Sequence, residues 1–183
     1  STVITDIASS TRVITANGHA STTSATTQLG LNNSLAFDGT GDYLTLPDSD
    51  DWDLVADTTD YTIDFWVKHT DYSGYEQYVS QFIDVNNYFQ FYHKDTSGFK
   101  FIVASGGAGI ITTGFGGEIT DSNWHHIALV KETTIYTIYK DGVSVVSVND
   151  DSTASFASVL EIGSSGNDQH FDGNMDEFRI TKG

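Results

Sequence analysis

The segment from Trp124 to Val145 contains the pattern of three consecutive β-strands. Its first eight residues, Trp124-His-His-Ile-Ala-Leu-Val-Lys131, place apolar side chains on both faces of a strand. Ile135 to Lys140 is rich in β-branched and aromatic residues, which pleated strands favour. Asp141-Gly142 then supplies the two positive φ angles of a tight type I′ turn. We therefore predict a strand covered on both faces, followed by a two-residue β-hairpin.

The same period of two recurs along most of the chain. Strand-like segments include Tyr61–Val67, Tyr88–His93 and Phe99–Val103, and turns rich in Gly, Asn, Asp and Ser separate them. No stretch shows a sustained helical period, so the prediction is an all-β protein. Hydrophobic residues make up 38% and aromatic residues 13% of the 183 residues, which predicts one core built from few but large side chains. Ser105–Gly117 holds six glycines and is predicted to be a mobile loop around a short strand.

The charge of the chain excludes two classes of partner. Lys and Arg number 8 against 25 Asp and Glu, so the formal net charge is −17. This charge repels the phosphate backbone and anionic membrane surfaces, and no apolar run reaches membrane-spanning length. We therefore expect no nucleic-acid binding and no membrane insertion. The absence of cysteine excludes disulfides, thiolate catalysis and cysteine-based zinc sites.

Four segments, in order, resemble the laminin-G-like domain of the concanavalin A-like lectin/glucanase superfamily. They are Ser34–Leu44, Tyr61–Val67, the hairpin segment Trp124–Gly142 and Phe171–Ile180. The resemblance implies an antiparallel β-sandwich of jelly-roll type, with residues 1–183 as a single domain. Residues 1–30 are then expected to be an edge-strand leader, and residues 31–183 the core. The fold hosts many functions, so the resemblance does not specify a ligand.

An enzyme is not expected. Hydrolases of the superfamily carry a Glu-x-Asp-x-x-Glu strand, which sets two carboxylates across the scissile bond, and this pattern does not occur in the chain. The nearest acidic strand positions, Asp64 and Asp176-Glu177, have other spacings. No Gly-x-Ser-x-Gly elbow occurs either. His125 and His126 are adjacent on one strand and point to opposite faces, so they cannot chelate one ion together.

Calcium is the one cofactor for which the sequence offers candidate ligands. Many members of the superfamily bind one calcium ion, and hard cations take carboxylate and carbonyl oxygens as ligands. Asp38, Asp42 and Asp176 lie in segments that resemble the family's terminal strands, which pair with each other in that fold. These three residues are the candidate metal ligands. The alternative is that Asp38 and Asp176 cap turns or accept backbone N–H bonds, and the sequence leaves both interpretations open.

The candidate ligand-binding residues combine aromatic rings with polar side chains. Rings stack on the apolar faces of sugars, and polar groups bind the hydroxyls. The pattern places Tyr88, Gln90 and Tyr92 on one strand face, with further rings in the preceding loop, and we expect an acid and a tryptophan on the same sheet. The complete set is Tyr88, Gln90, Tyr92, Tyr72, Tyr75, Asp64 and Trp66. The alternative is that these tyrosines only cover the sheet.

These features favour a non-catalytic, lectin-like module that binds a glycan or a cell-surface polysaccharide. We expect it to belong to a larger extracellular, cell-surface or virion protein. The alternative is a protein-interaction module, or a structural decoration or assembly module, with no glycan ligand. The two differ in the shape of the exposed aromatic surface, because a groove suits glycans and a flat patch suits proteins.

Overall fold

The computed structural model describes residues 4, 12–28, 33–166 and 169–183. Within them, fourteen strands form two antiparallel sheets, and two single-turn 3-10 helices cover Asp50–Trp52 and Asp95–Ser97. None of the described helices has the length and apolar content needed to cross a membrane. The strands are β1 Thr15–Asn17, β2 Ser21–Thr23, β3 Ser34–Asp38, β4 Tyr43–Leu46, β5 Tyr61–His69, β6 Tyr75–Asp84, β7 Asn87–Lys94, β8 Gly98–Ser105, β9 Ala108–Thr112, β10 His125–Glu132, β11 Ile135–Lys140, β12 Val143–Asn149, β13 Leu160–Ile162 and β14 Asp172–Lys182.

The strands pair in two sheets that enclose one core. Sheet A has the order β1-β4-β13-β6-β7-β8-β9, and sheet B has the order β12-β11-β10-β5-β14-β3-β2. The all-β sandwich predicted from the sequence is thus confirmed. So is the hairpin, since Lys140 pairs with Val143 while Asp141 and Gly142 adopt φ angles of 52° and 77°. The short strands β1 and β2 of the leader lie at edges of opposite sheets.

Large rings fill the space between the sheets. Phe65 of sheet B and Phe91 of sheet A are fully buried, with ring centroids 6.1 Å apart. Tyr78 contacts both rings and is also fully buried. The core is therefore built as the composition predicts, from large aromatic side chains with aliphatic residues around them.

The glycine-rich segment packs closely, which differs from the mobile loop that its composition predicts. Gly116 forms an isolated antiparallel bridge with Phe99. A Cβ atom on Gly116 would lie 2.6 Å from the carbonyl oxygen of Val145, and one on Gly98 would lie 2.5 Å from that of Gly116. Backbones this close admit only glycine. The segment therefore joins the β8 side of sheet A to β12 of sheet B.

Three ionisable side chains are buried near the end of this core. His69 Nε2 lies 2.8 Å from the hydroxyl of Tyr78, and the ring of His93 lies 5.3 Å from that of His69. Burial lowers the pKa of His69 to about 3 and the pKa of His93 to about 4, so both rings are neutral near pH 7. Glu76 accepts a hydrogen bond from the backbone N–H of Asp172, and burial raises its pKa to about 8.

The stability of the fold is therefore expected to fall on both sides of a maximum between about pH 5 and pH 7. The two histidines have lowered pKa values. Their contribution to the free energy of unfolding is therefore fully present above pH 6.5 and is lost as the pH falls through 4 and 3. Glu76 has a raised pKa, so its contribution to the free energy of unfolding is fully present below pH 4.5 and is lost as the pH rises through 8. In calorimetry, Glu76→Gln should reduce the drop in melting temperature between about pH 6 and pH 9 by roughly 5 °C.

Glu132→Gln is the matched control, because Glu132 is exposed at the end of β10. It should leave the pH profile unchanged. An alkaline drop of the same size in wild type and Glu76→Gln would contradict the assignment to Glu76.

Candidate functional site

The outer face of sheet A carries the tyrosines that the sequence singles out. Along β7, Phe89 and Phe91 point into the core, so Tyr88, Gln90 and Tyr92 point outward. Tyr88 and Gln90 are half-buried, and Tyr92 is 6% exposed. The predicted common face of these three residues is therefore present on an outer surface.

Tyr92 lies between two exposed rings. Its ring centroid is 5.4 Å from that of Tyr75 on β6 and 6.3 Å from that of Phe115, which precedes the bridge to β8. Tyr75 is 38% exposed and Phe115 is 41% exposed. We call these three residues the aromatic strip. It extends from β6 across β7 to the segment beside β8, on the part of sheet A that we call the open half, and two of its rings are accessible for stacking against a ligand.

Part of this face, on β6 and β7, is covered by residues 164–166, which follow β13. Gln90 Nε2 donates to Ser165 Oγ at 2.7 Å, and Ser80 Oγ donates to the carbonyl oxygen of Ser164 at 2.9 Å. The ring of Phe82 leaves no room for a side chain on Gly166, where a Cβ atom would lie 2.7 Å from it. This segment borders the open half of the sheet, with the amide of Gln90 at the boundary.

The hydroxyl of Tyr92 is available as a hydrogen-bond donor. Burial, with smaller effects from Tyr75 and Tyr88, raises the pKa of Tyr92 to about 12, so the phenol keeps its proton at neutral pH. Within the described part of the chain, no residue hydrogen-bonds to this hydroxyl.

The other two predicted tyrosines lie outside the strip. Tyr88 stacks on Phe82, with centroids 5.8 Å apart, and Tyr72 is 40% exposed in the loop before β6. Tyr88 and Tyr72 are not among the ring contacts of the strip.

Asp64 and Trp66 do not belong to this surface, which corrects the expectation that they share its sheet. Both lie on β5, which pairs with β10 and β14 in sheet B, and they face outward on the opposite side of the sandwich. Asp64 is 8% exposed and accepts hydrogen bonds from Nε and Nη2 of Arg179. Trp66 packs beside the ring of His126, at 5.2 Å. Asp64 therefore binds neighbouring side chains of its own sheet.

The three candidate metal ligands are not brought together. Asp38 and Asp42 lie beside His19, with one ligand atom from each residue within 4.8 Å of the others. Asp176 is remote, because Asp172 pairs with Asp38 and Met175 with Leu35. This register places Asp176 four residues further along β3, or about 13 Å away.

The carboxylates of this candidate set already bind backbone amides. Asp42 is 2% exposed and accepts from the N–H groups of His19 and Asp38. Asp38 Oδ1 accepts from the N–H of Thr40 at 2.9 Å, and the two oxygens of Asp176 accept from the N–H groups of residues 28 and 177. The three acids as predicted therefore do not form one calcium site by geometry, and their hydrogen bonds fit the capping interpretation. Calcium binding stays a prediction.

A family model of laminin-G type, described as the concanavalin A-like lectin/glucanases superfamily, matches residues 38–183. The chain belongs to this laminin-G-like family. The resemblance found in the four sequence segments is thereby confirmed. No curated protein matches the chain.

Solved structures of similar fold cover most of the chain at low identity. Domain 4 of an extracellular GH43 arabinanase from Geobacillus stearothermophilus, in complex with arabinotriose, is 21% identical, with a TM-score of 0.69 over 94% of this chain and 82% of that one. The binding domain of botulinum neurotoxin serotype D is 10% identical, with a TM-score of 0.70 over 97% of this chain and 45% of that one. Domains LG4-5 of the mouse laminin α1 chain are 16% identical, with a TM-score of 0.62 over 81% and 40%. At these identities the likeness shows the fold alone.

Three residues of the candidate site are absent from the set predicted from the sequence. Lys94 and Lys100 follow the same alternation as Tyr92, since inward-facing Phe99 and Phe101 flank Lys100, and period two could have placed both lysines on the face. No local sequence pattern indicates that Phe115 lies on this face. It reaches the strip only through the Gly116 bridge to β8, which is a contact between distant parts of the chain.

The capping role of Asp42 predicts a stability defect that does not depend on calcium. Asp42→Ala leaves two backbone N–H groups without their partner, so we expect the free energy of unfolding to fall by about 2 kcal/mol. The measurement is urea denaturation in calcium and in EDTA. Asp48→Ala is the control, since Asp48 is exposed in the loop after β4. A wild-type protein that EDTA destabilises to the level of Asp42→Ala would instead assign the carboxylate to calcium.

Proposed function

We propose that this chain is a non-catalytic carbohydrate-recognition module of a larger extracellular, cell-surface or virion protein, and that it binds glycans through the outer face of sheet A. The observation that carries the proposal is the aromatic strip. It offers two exposed rings, on Tyr75 and Phe115, on either side of the nearly buried ring of Tyr92. Sugar-binding surfaces need rings of this kind, because the apolar faces of pyranoses and furanoses stack on them.

Polar groups beside the strip provide the orientation that stacking lacks. The hydroxyl of Tyr92 retains its proton and has no partner in the described part of the chain. The amide of Gln90 donates one bond to Ser165, and its carbonyl oxygen accepts no hydrogen bond from the described residues. A donor and an acceptor beside two rings suit the hydroxyl groups of a sugar, whereas an apolar partner would leave them unsatisfied.

The comparisons with known structures support a glycan as the ligand and an extracellular location. The arabinanase domain of similar fold is in complex with arabinotriose, and another neighbour, the binding domain of botulinum neurotoxin DC, is in complex with SialylT. The arabinanase is described as extracellular. A module of an extracellular protein is the proposal that agrees with these neighbours, and arabinotriose is the first neutral probe to test.

The two exposed rings should carry the affinity. We expect the double variant Tyr75→Ala, Phe115→Ala to weaken binding of the best neutral ligand, found by a glycan array that includes arabinotriose, by at least about tenfold. Isothermal titration measures the change, and a melting temperature close to wild type verifies the fold. Repeating the titration in EDTA tests whether binding depends on calcium.

Trp66→Ala is the matched aromatic control, because Trp66 lies on the outer face of sheet B. It should leave the affinity unchanged. Loss of binding in Trp66→Ala, with the double variant unaffected, would move the site to the opposite sheet. A folded domain that binds no glycan on the array would overturn the proposal in favour of a protein-interaction or assembly module.

A further inference from the structure

Two lysines border the aromatic strip. Lys94 Nζ lies 4.7 Å from the centroid of the Tyr75 ring, and Lys100 Nζ lies 4.7 Å from that of Phe115. The strand register puts them there, because Tyr75 pairs with Lys94 and Tyr92 pairs with Lys100 on the same outer face. Each exposed ring of the strip therefore has its own ammonium group.

These two ammonium groups differ from most cations of the chain. Five of the eight basic side chains bind a carboxylate or a backbone carbonyl of another residue, namely Arg12, Lys131, Lys140, Arg179 and Lys182. In the part of the chain that the structure describes, neither Lys94 nor Lys100 has such a partner. In a protein with 25 acidic residues, two cations without carboxylates beside an exposed aromatic surface retain their hydrogen-bonding capacity for a ligand.

We propose that the strip selects carboxylated sugars such as uronic acids, with a sugar ring stacked on Tyr75 or Phe115 and its carboxylate bound by Lys94 or Lys100. This inference rests on the proposed function and names the class of glycan. A charge-assisted hydrogen bond from an ammonium group to a carboxylate is about twice as strong as one between neutral groups. A neutral sugar would replace the water bound to the ammonium groups with hydroxyl groups only, so these hydrogen bonds would not be charge-assisted on both sides.

The net charge of −17 does not prevent this selection. At physiological ionic strength the screening length is about 8 Å, so a bound carboxylate responds mainly to the charges next to it. At the strip those charges include the two ammonium groups and the carboxylate of Asp95, which accepts a hydrogen bond from the backbone N–H of Gly74, next to Tyr75. The more distant acidic residues weaken the attraction at low salt, where their charges are less screened. The preference for an acidic ligand therefore depends on the two ammonium groups that lie against the exposed rings.

A matched pair of oligosaccharides tests the proposal. The probes are tetragalacturonate and its fully methyl-esterified form, titrated in EDTA so that no calcium can bridge a carboxylate to the protein. We expect the acid to bind about tenfold more tightly than the ester at about 0.15 M salt, and this preference to shrink at about 0.5 M, where even neighbouring charges are screened. In the double variant Lys94→Met, Lys100→Met the preference should disappear, while binding of the ester stays as in wild type. Methionine retains a long apolar side chain over each ring.

Two controls separate charge from packing. Lys94→Arg with Lys100→Arg should retain the preference, and Lys68→Met, on the outer face of sheet B, should leave it intact. Equal binding of acid and ester by the wild type would overturn the inference and leave the proposed function standing. A preference that survives the double methionine variant would also overturn it. If neither probe nor any glycan of the array binds to the folded protein, the proposed function fails together with the inference.

Discussion

The structure depends on the packing of one buried ring, that of Tyr78. The ring is fully buried on β6 and contacts four phenylalanine rings at centroid distances of 5.0 to 6.1 Å. They are Phe65 of sheet B, Phe91 and Phe99 of sheet A, and Phe171, which precedes β14. Its hydroxyl bonds to a buried histidine. A shift of β7 or β8 by one residue would expel a phenylalanine from this cluster and bring a polar side chain into it. The cluster therefore determines the register, and the register determines which residues of sheet A face solvent.

This dependence explains how far the sequence could predict the site. Period two is a local property, so the common face of Tyr88, Gln90 and Tyr92 follows from the sequence alone. Sheet membership is not local. Nothing within β5 indicates that it pairs with β10 and β14 rather than with β6, and Asp64 and Trp66 were consequently expected on the wrong sheet. Asp176 shows the same limit, since its distance from Asp38 depends on the register of two distant strands.

The glycine-rich segment shows that composition can be interpreted in two opposite ways. Six glycines in thirteen residues are typical of a flexible loop. Yet a Cβ atom on Gly116 would collide with the carbonyl oxygen of Val145, and one on Gly98 would collide with that of Gly116. Glycine is needed there for space. The close approach also places Phe115 next to Tyr92, so the glycines that predict a mobile loop instead position one ring of the aromatic strip.

The burial of Tyr92 matters for the proposed glycan binding, because its ring supports the exposed rings on both sides. Ordering a free side chain at an interface costs about 0.5–1.5 kcal/mol, which subtracts from affinity. Tyr75 and Phe115 each lie against the nearly buried ring of Tyr92, and a lysine side chain contacts the ring of each. Both rings are thus held in place before a ligand arrives, and less of this cost remains to be met on binding. An exposed tyrosine without such support, such as Tyr72 in its loop, would have to be ordered by the ligand itself.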